Sequence, residues 1–480
     1  MRPALARALV FFTSASVLVI EILAARLLAP YLGVSFEVFT GIIGVILAGI
    51  SLGAWLGGGA ADRGDPRRLP GPLLAAGGLT ALASPLIIDT LGPRLTADAV
   101  SIVFAATAGF FLPAALLSAV PPVIVKIQLD SLDETGRVVG AYSAIGTAGA
   151  ILGTFATGFF LVASFPTRPI VAVLGVALVM VGLLIWTARR AWMLPALALT
   201  AILAAVLIGV DGPCHQETAY HCVVIEVDEA RPTGRTLLLD RLSNSYVDVA
   251  DPTYLEFRYI KLMADVIEAH AGDGALNMVS IGGGGFTLPG YVQATRPDSQ
   301  NTVLEIDDDL AEIGHEQLAL SDEVEVVVDD ARISLRDVAM ASADVVIGDA
   351  YSGASVPWHL TTVEFTEQIE DILAPGGVYS MNVIDYGSLV FVRSEAATLL
   401  EVFPEVALFA PPDYLNGSGA GGNFIFVASN DPIDMEGVTT AIRDRGGIEI
   451  GIEDERLTEF IGDAGALTDD YAPVDQMLGS

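Results

Sequence analysis

Lysine is nearly absent: Lys126 and Lys261 are the only two in 480 residues. With 24 Lys+Arg against 58 Asp+Glu, the formal net charge is −34. So acidic a chain repels nucleic acid phosphates, which excludes a nucleic-acid partner. Cysteine is limited to Cys214 and Cys222. Two thiols cannot build a disulfide framework; two isolated small residues are the expectation, and pairing is open only on an oxidising side. The five histidines are scattered without ligand spacing, so no metal site is expected. Abundant carboxylate with so little lysine has the look of a protein adapted to high salt, because the acids are spread along the domain that carries them rather than clustered; a polycationic ligand is the competing explanation.

The excess of acid is confined to one half. Residues 1–210 hold 12 Lys+Arg and 9 Asp+Glu, a net +3; residues 211–480 hold the remaining 12 and 49, a net −37, and the two add to −34. The near-neutral half is also the oily one. A helix needs about 20 apolar residues to cross the hydrocarbon core. Seven stretches meet this, near 7–30, 39–60, 70–91, 99–125, 139–164, 168–188 and 192–210. The partner expected for residues 1–210 is therefore a lipid bilayer. Gly53, Gly57, Gly149 and Gly153 fall at spacings that let helices approach closely. Glu21 and Arg26 lie in the first span, where an acid is costly; it serves either a functional site or a structural hydrogen bond.

The acidic half reads as α/β. Val223–Val227, Thr236–Asp240 and Tyr246–Val249 form a small antiparallel β unit, separated by turn residues such as Pro232-Thr233-Gly234. From residue 253 strands alternate with helices: Leu276–Ile281, Thr302–Ile306, Val324–Val328, Ala343–Ile347 and Val378–Asn382. That alternation predicts a parallel, doubly wound, Rossmann-like sheet. The expected organisation is thus a helical transmembrane bundle over 1–210, a small β domain over 211–252 and a Rossmann-like methyltransferase-type domain over 253–480.

Ligands of such sheets sit at the carboxyl ends of the strands. Gly282, Gly283, Gly284 and Gly285 end the first strand, where missing side chains let a ligand lie against the backbone. Glu305 and Asp307 end the second, about 20 residues on, where acids suit ribose hydroxyls. Asp330 ends the third and Asp349 the fourth. Four such features in register point to a nucleoside-type ligand.

The run Gly282–Gly285, Glu305-Ile306-Asp307, Asp329-Asp330-Ala331, Asp349-Ala350-Tyr351, Pro357 and Leu360-Thr361-Thr362 resembles the spermidine synthase (polyamine aminopropyltransferase) family. It is more similar to the branch fused to an amino-terminal membrane region, in which Glu21–Arg26 and Leu467–Val474 also have counterparts. The resemblance covers nearly the whole chain. It implies transfer of an aminopropyl group from decarboxylated S-adenosylmethionine, a co-substrate and not a tightly bound cofactor, to a small-molecule amine. It implies that Glu305 and Asp307 hold the ribose, that Asp330 reads the adenine, and that Asp349 and Tyr351 stand at the reacting centre. Tyr254 and Glu256 match the family's Tyr-His-Glu acceptor motif, and Asn244 or Ser245 falls near its glutamine. Gly285 stands where the family carries an acid, and Ser352 where the soluble enzymes carry a second aspartate that serves as base.

Two other readings stay open: a methyltransferase using S-adenosylmethionine, and a polyamine sensor or transporter that binds without turnover. Self-association into a homo-oligomer is compatible with all three. Sidedness is pulled two ways in this multi-pass protein of the cell membrane. Arg2, Arg7, Arg63, Arg67, Arg68, Lys126, Arg137, Arg189 and Arg190 lie in loops on one side, which places the amino terminus inside and, after seven spans, the soluble domain outside. Donors made in the cytoplasm favour a cytoplasmic domain, and that is the expectation.

Overall fold

The computed structural model describes residues 1–129, 131–186, 190–271 and 274–478, so Arg189 lies outside the described residues. The chain divides into two compact units, Met1–Val224 and Ile225–Ser480.

Among the described residues of the first unit, six helices are long and apolar enough to cross a membrane: α1 (Pro3–Leu32), α2 (Phe36–Arg63), α3 (Pro66–Arg94), α4 (Ala99–Gln128), α5 (Thr135–Ser164) and α6 (Thr167–Ile185). With the shorter apolar helix that follows, they account for the about seven stretches expected. The last apolar helix, α7 (Arg190–Gly209), offers only Met193–Gly209 as an apolar stretch among the described residues. Starts are encoded locally. Ser35 caps α2 by accepting from Val38 N at 3.3 Å, and Asp98 caps α4 by accepting from the amides of Val100 and Ser101. The three prolines of α4 do not turn it back on itself. Pro113 follows a π-turn at Thr107–Phe111, and Pro121 and Pro122 follow a break at Ala119, so each falls where the helical ladder is already interrupted.

The glycines serve close packing, as the spacing suggests. A Cβ at Gly149 or Gly153 of α5 would run into the backbone of Phe11 or Ala15 in α1; one at Gly53 or Gly57 of α2 would meet Ala115 or Ala119 in α4. One end of the bundle holds Met1, whose carbonyl accepts from Gln128, and the Asp62–Lys126 pair. At the other end Arg168, at the start of α6, pairs with Asp89 of α3 and donates to the Val210 carbonyl at 2.8 Å. Arg26 of α1 donates there to the carbonyls of Ala219 (2.8 Å) and Thr218 (2.6 Å) and faces Glu217 at 3.7 Å. The segment it grips is a short antiparallel pair, β1 (Gln216–Glu217) with the start of β2 (Cys222–Val227), closed by a Cys214–Cys222 disulfide. The expectation of isolated cysteines is corrected: the turn between the strands brings the two thiols together.

The second unit opens on a hairpin, β3 (Gly234–Leu239) and β4 (Leu242–Asp248), with Asp240 in the left-handed region at its turn. Helix α8 (Arg258–Ala271) leads into an eight-stranded sheet of order β12-β10-β11-β9-β8-β5-β6-β7. Its parallel part is β5 (Asn277–Ile281), β6 (Gln300–Glu305), β7 (Val324–Val328), β8 (Ala343–Gly348) and β9 (Leu373–Tyr386). Antiparallel β11 (Gly421–Ser429), β10 (Glu405–Ala410) and β12 (Ile450–Ile452) extend it beyond β9. The sheet is therefore mixed and Rossmann-like, where a purely parallel one is expected from sequence. Apolar side chains fill both faces: Met263, Ile267, Phe409 and Ile425 on one, Phe365, Phe391, Phe424 and Phe426 on the other. The chain winds outward through β5, β6 and β7, then returns to place β8 on the opposite flank of β5. The carboxyl ends of β5 and β8 thus flank the crevice where such sheets bind ligands.

Candidate functional site

Register puts the site together. Ile281 pairs with Gly348, so the glycine turn after β5 and the acid after β8 emerge side by side. Gly282 has φ +90°, and a Cβ on it would lie 2.6 Å from the Asp349 carbonyl. Gly284 has φ +50°, and its Cβ would lie 2.7 Å from Asn244 Oδ1. Both positions need glycine for backbone shape and for room. Asn244 and Ser245 of β4 rest on the turn: Gly285 N donates to Ser245 Oγ at 2.9 Å, and Ser245 Oγ donates to Asn244 Oδ1 at 2.6 Å.

Glu305 closes the turn from the β6 side. Its Oε2 accepts from Gly283 N at 2.7 Å and its Oε1 from Asp307 N at 2.9 Å, so the carboxylate is fixed at the mouth of the crevice. Asp307, expected beside it, is 1% exposed and starts helix α9 (Asp308–Gln317). After β7, Asp330 caps the turn Ala331–Ser334 by accepting from Arg332 N at 2.8 Å; its other oxygen lies 3.1 Å from His359 Nε2.

Asp349 is the recessed acid. Asn382 Nδ2 of β9 donates to its Oδ1 at 2.8 Å, and the Tyr259 hydroxyl bridges it and the Asn244 carbonyl 3.3 Å away. Burial lifts its pKa from 3.8 to about 6, against the lowering effect of the bonds from Asn382 and Tyr259. A carboxylate with its proton affinity raised in this way is a stronger base than an exposed aspartate. Tyr351 donates to the Asn382 carbonyl at 2.9 Å, and Asn423 Nδ2 of β11 donates to Asn382 Oδ1 at 3.0 Å. Asn382 is thereby held through its carbonyl and both ends of its amide. A small cavity lined by Ala350, Val356, Leu360, Tyr379, Met381 and Asn382 adjoins it.

Of the residues expected from sequence, the fold brings Gly282, Gly283, Gly284, Glu305, Asp330, Asp349, Tyr351 and Asn244 into or against one crevice, while Asp307 is buried at the start of α9. Tyr254 and Glu256 do not join it. Tyr254 donates to Glu256, its ring lies under Arg231 at 3.6 Å, and it lines a separate cleft with Asp248, Phe286 and Leu318. The tyrosine at Asp349 is Tyr259, one turn into the next segment. Its signal is its place in the first turn of α8, the helix that feeds β5, which aims it at the glycine turn; Tyr254 precedes that helix. Asn382 and Asn423 were missed because one ends a strand read only for its apolar pattern and the other lies on a strand not anticipated. Ser352 is exposed in a tight loop closed by Ser352 N to Ser355 O at 2.8 Å, and it brings no carboxylate.

No family model matches the chain. Over 182 residues it is 28% identical to an N-terminal histidine N-methyltransferase of Emericella nidulans, a match covering 35% of this chain and 32% of that protein. Over 136 residues it is 29% identical to a polyamine aminopropyltransferase of Vibrio vulnificus, covering 28% of this chain and 45% of that one. The chain thus spans less than half the length of the curated relatives it matches. The crystal structure of a probable spermidine synthase from Corynebacterium glutamicum is 31% identical, over 53% of this chain and 95% of that chain, with a TM-score of 0.49. Sequence identity at that level over nearly the whole of the Corynebacterium chain, with the glycine turn and strand-end acids gathered in one crevice, shows that this chain belongs to the spermidine synthase-like family.

Proposed function

We propose that the second unit is a transferase that binds a sulfonium nucleoside of adenine and moves the aminopropyl group of decarboxylated S-adenosylmethionine to an amine. The observation that carries this reading is Asp349, an acid with raised proton affinity, aimed by Tyr259 and Asn382 beside the glycine turn. Glu305 takes the ribose hydroxyls and Asp330 the adenine amino group. The amine nitrogen attacks the carbon bonded to sulfur, the C–S bond breaks, and methylthioadenosine leaves as a neutral thioether. The amine's extra proton passes to Asp349, since only the neutral amine attacks carbon. Carboxylates around the crevice attract both the positive sulfonium and the cationic amine. Methyl transfer from S-adenosylmethionine is the variant of this chemistry that the methyltransferase match supports. Purified protein supplied with each donor and a panel of amines tests it. Methylthioadenosine with an aminopropylated amine is expected; S-adenosylhomocysteine would assign methyl transfer, and neither product would remove turnover.

A second reading, a nucleoside or polyamine sensor without turnover, is favoured by the membrane unit. Cytoplasmic donors favour a cytoplasmic second unit. Yet helix α7 returns the chain to the end of the bundle opposite the basic loops of Arg2, Arg63, Arg67, Arg68 and Lys126, and the hairpin there carries a disulfide. Both traits belong to a non-cytoplasmic face. Asp322 is fully exposed; a cysteine placed there in a Cys214→Ser/Cys222→Ser background reports the side. Labelling by an impermeant maleimide in intact cells would put the unit outside and deprive the transferase of cytoplasmic donor. Labelling only after lysis supports the transferase reading.

A further inference from the structure

The near-terminal run Leu467-Thr468-Asp469-Asp470-Tyr471 has no part in the chemistry above, yet it is tied to the nucleoside end of the crevice. Leu467 is buried; its carbonyl accepts from Val363 N at 2.9 Å and its amide donates to Thr398 Oγ1 at 2.8 Å. Asp469 N donates to Glu364 Oε2 at 3.0 Å. These bonds lay the run across the start of helix α10 (Val363–Ile372), whose cap is Thr362.

The Asp469 side chain then does something a surface acid need not do. It takes Arg332 in a two-pronged bond, Nη1 to Oδ1 at 2.8 Å and Nη2 to Oδ2 at 2.6 Å, and accepts from Thr362 Oγ1 at 2.8 Å. Arg332 is the second residue after Asp330, and its own amide is the one that Asp330 Oδ1 caps. From there its Nη1 reaches the His359 carbonyl at 2.8 Å. One guanidinium thus joins three segments: the turn that carries Asp330, the loop that carries His359, and the near-terminal run. What the joint delivers is visible at the other end of His359, whose Nε2 stands 3.1 Å from Asp330 Oδ2. The loop is also fastened upstream, where Ser355 Oγ donates to Asp475 Oδ1 at 2.7 Å.

We infer that Asp469 and Arg332 are positioning residues for recognition of the nucleoside base: the near-terminal run is a strap that fixes Asp330 and the 352–362 loop relative to each other. The inference rests on the reading of the crevice as an adenine-nucleoside site. Asp330 Oδ1 caps the backbone and Oδ2 faces His359, and the lone pairs left on Oδ2 are the ones turned toward the base amino group in this reading. Its direction depends on His359, and the place of His359 depends on the Arg332–Asp469 fork. Planar two-pronged pairing is what guanidinium offers and ammonium does not. The strap therefore acts on discrimination, not on overall folding.

The test uses the full-length protein in detergent and two probes, methylthioadenosine and methylthioinosine, which differ at the 6-position of the base. Wild type is expected to prefer the amino-bearing nucleoside. Asp469→Asn and Arg332→Lys are expected to lower affinity for methylthioadenosine five- to tenfold while leaving methylthioinosine within twofold. Asp469→Glu, which keeps the charge and both oxygens, is expected to restore part of the preference. Equal loss for both nucleosides would mean that the strap is merely structural, and unchanged affinity and preference in both variants would overturn it as well. If wild type binds neither nucleoside, the adenine reading falls and the strap with it; if wild type binds and discriminates, only the strap is at stake.

Discussion

Asp349→Asn is expected to stabilise the protein at neutral pH while abolishing transfer. Burial raises the folded pKa of Asp349 from 3.8 to about 6. A difference of about 2 units at about 1.4 kcal/mol each is about 3 kcal/mol. The folded state prefers the protonated acid. Its contribution to stability is therefore fully present below pH 3.8 and is lost as pH rises through about 6, so that above this the charged group costs about 3 kcal/mol. Asparagine carries no charge at any pH and keeps an oxygen to accept from Asn382. The variant should gain up to about 3 kcal/mol over wild type at pH 8 and almost nothing at pH 4. For a unit of this size that is a rise of roughly 5–10 °C in its unfolding midpoint. Calorimetric scans of both proteins across this pH range, in one detergent, measure it. A gain that is the same at pH 4 and pH 8, or a loss at pH 8, would refute the reasoning, because the desolvated charge would then not be the source of the strain.

Glu305→Ala should weaken methylthioadenosine binding by about 1.5–3 kcal/mol, the scale of a charge-assisted hydrogen bond. It should also destabilise the glycine turn, because the amides of Gly283 and Asp307 both lose their acceptor; titration calorimetry and a melt check the two effects, and unchanged affinity would remove Glu305 from the ligand. Tyr259→Phe takes away a hydrogen bond that lowers the Asp349 pKa. The acidic limb of the rate–pH profile should move to higher pH, and an unmoved limb would mean that Asp349 is not the titrating base.

Much of this was legible in sequence because strand ends are written in a simple code. Gly282–Gly285 after Leu276–Ile281 and Glu305 after Thr302–Leu304 are local signals, and the parallel alternation puts them in register. The failures are non-local. Glu405–Ala410 and Gly421–Ser429 are short apolar runs whose periodicity does not separate strand from buried helix, so the antiparallel flank of the sheet went unseen. Tyr254 fits the acceptor motif by residue type, but the site is set by the first turn of α8, which presents Tyr259. Asn382 and Asn423 meet only because β9 and β11 pair across a reversal of direction that the intervening chain does not announce. The cysteine pair depends on a turn between two short strands.

Glu305 is bonded on both oxygens to backbone amides before any nucleoside arrives. Its rotamer is thus chosen during folding, and a ligand meets a finished receptor on this edge. On the proposed reading, little side-chain ordering entropy is left for a ribose to overcome at this edge. A nucleoside stiffened to match this edge should keep the full gain of its stiffening, because this side chain needs no ordering of its own. At the base the proposed partner, Asp330, takes its direction from a histidine on a loop, so binding there should carry more ordering of the protein.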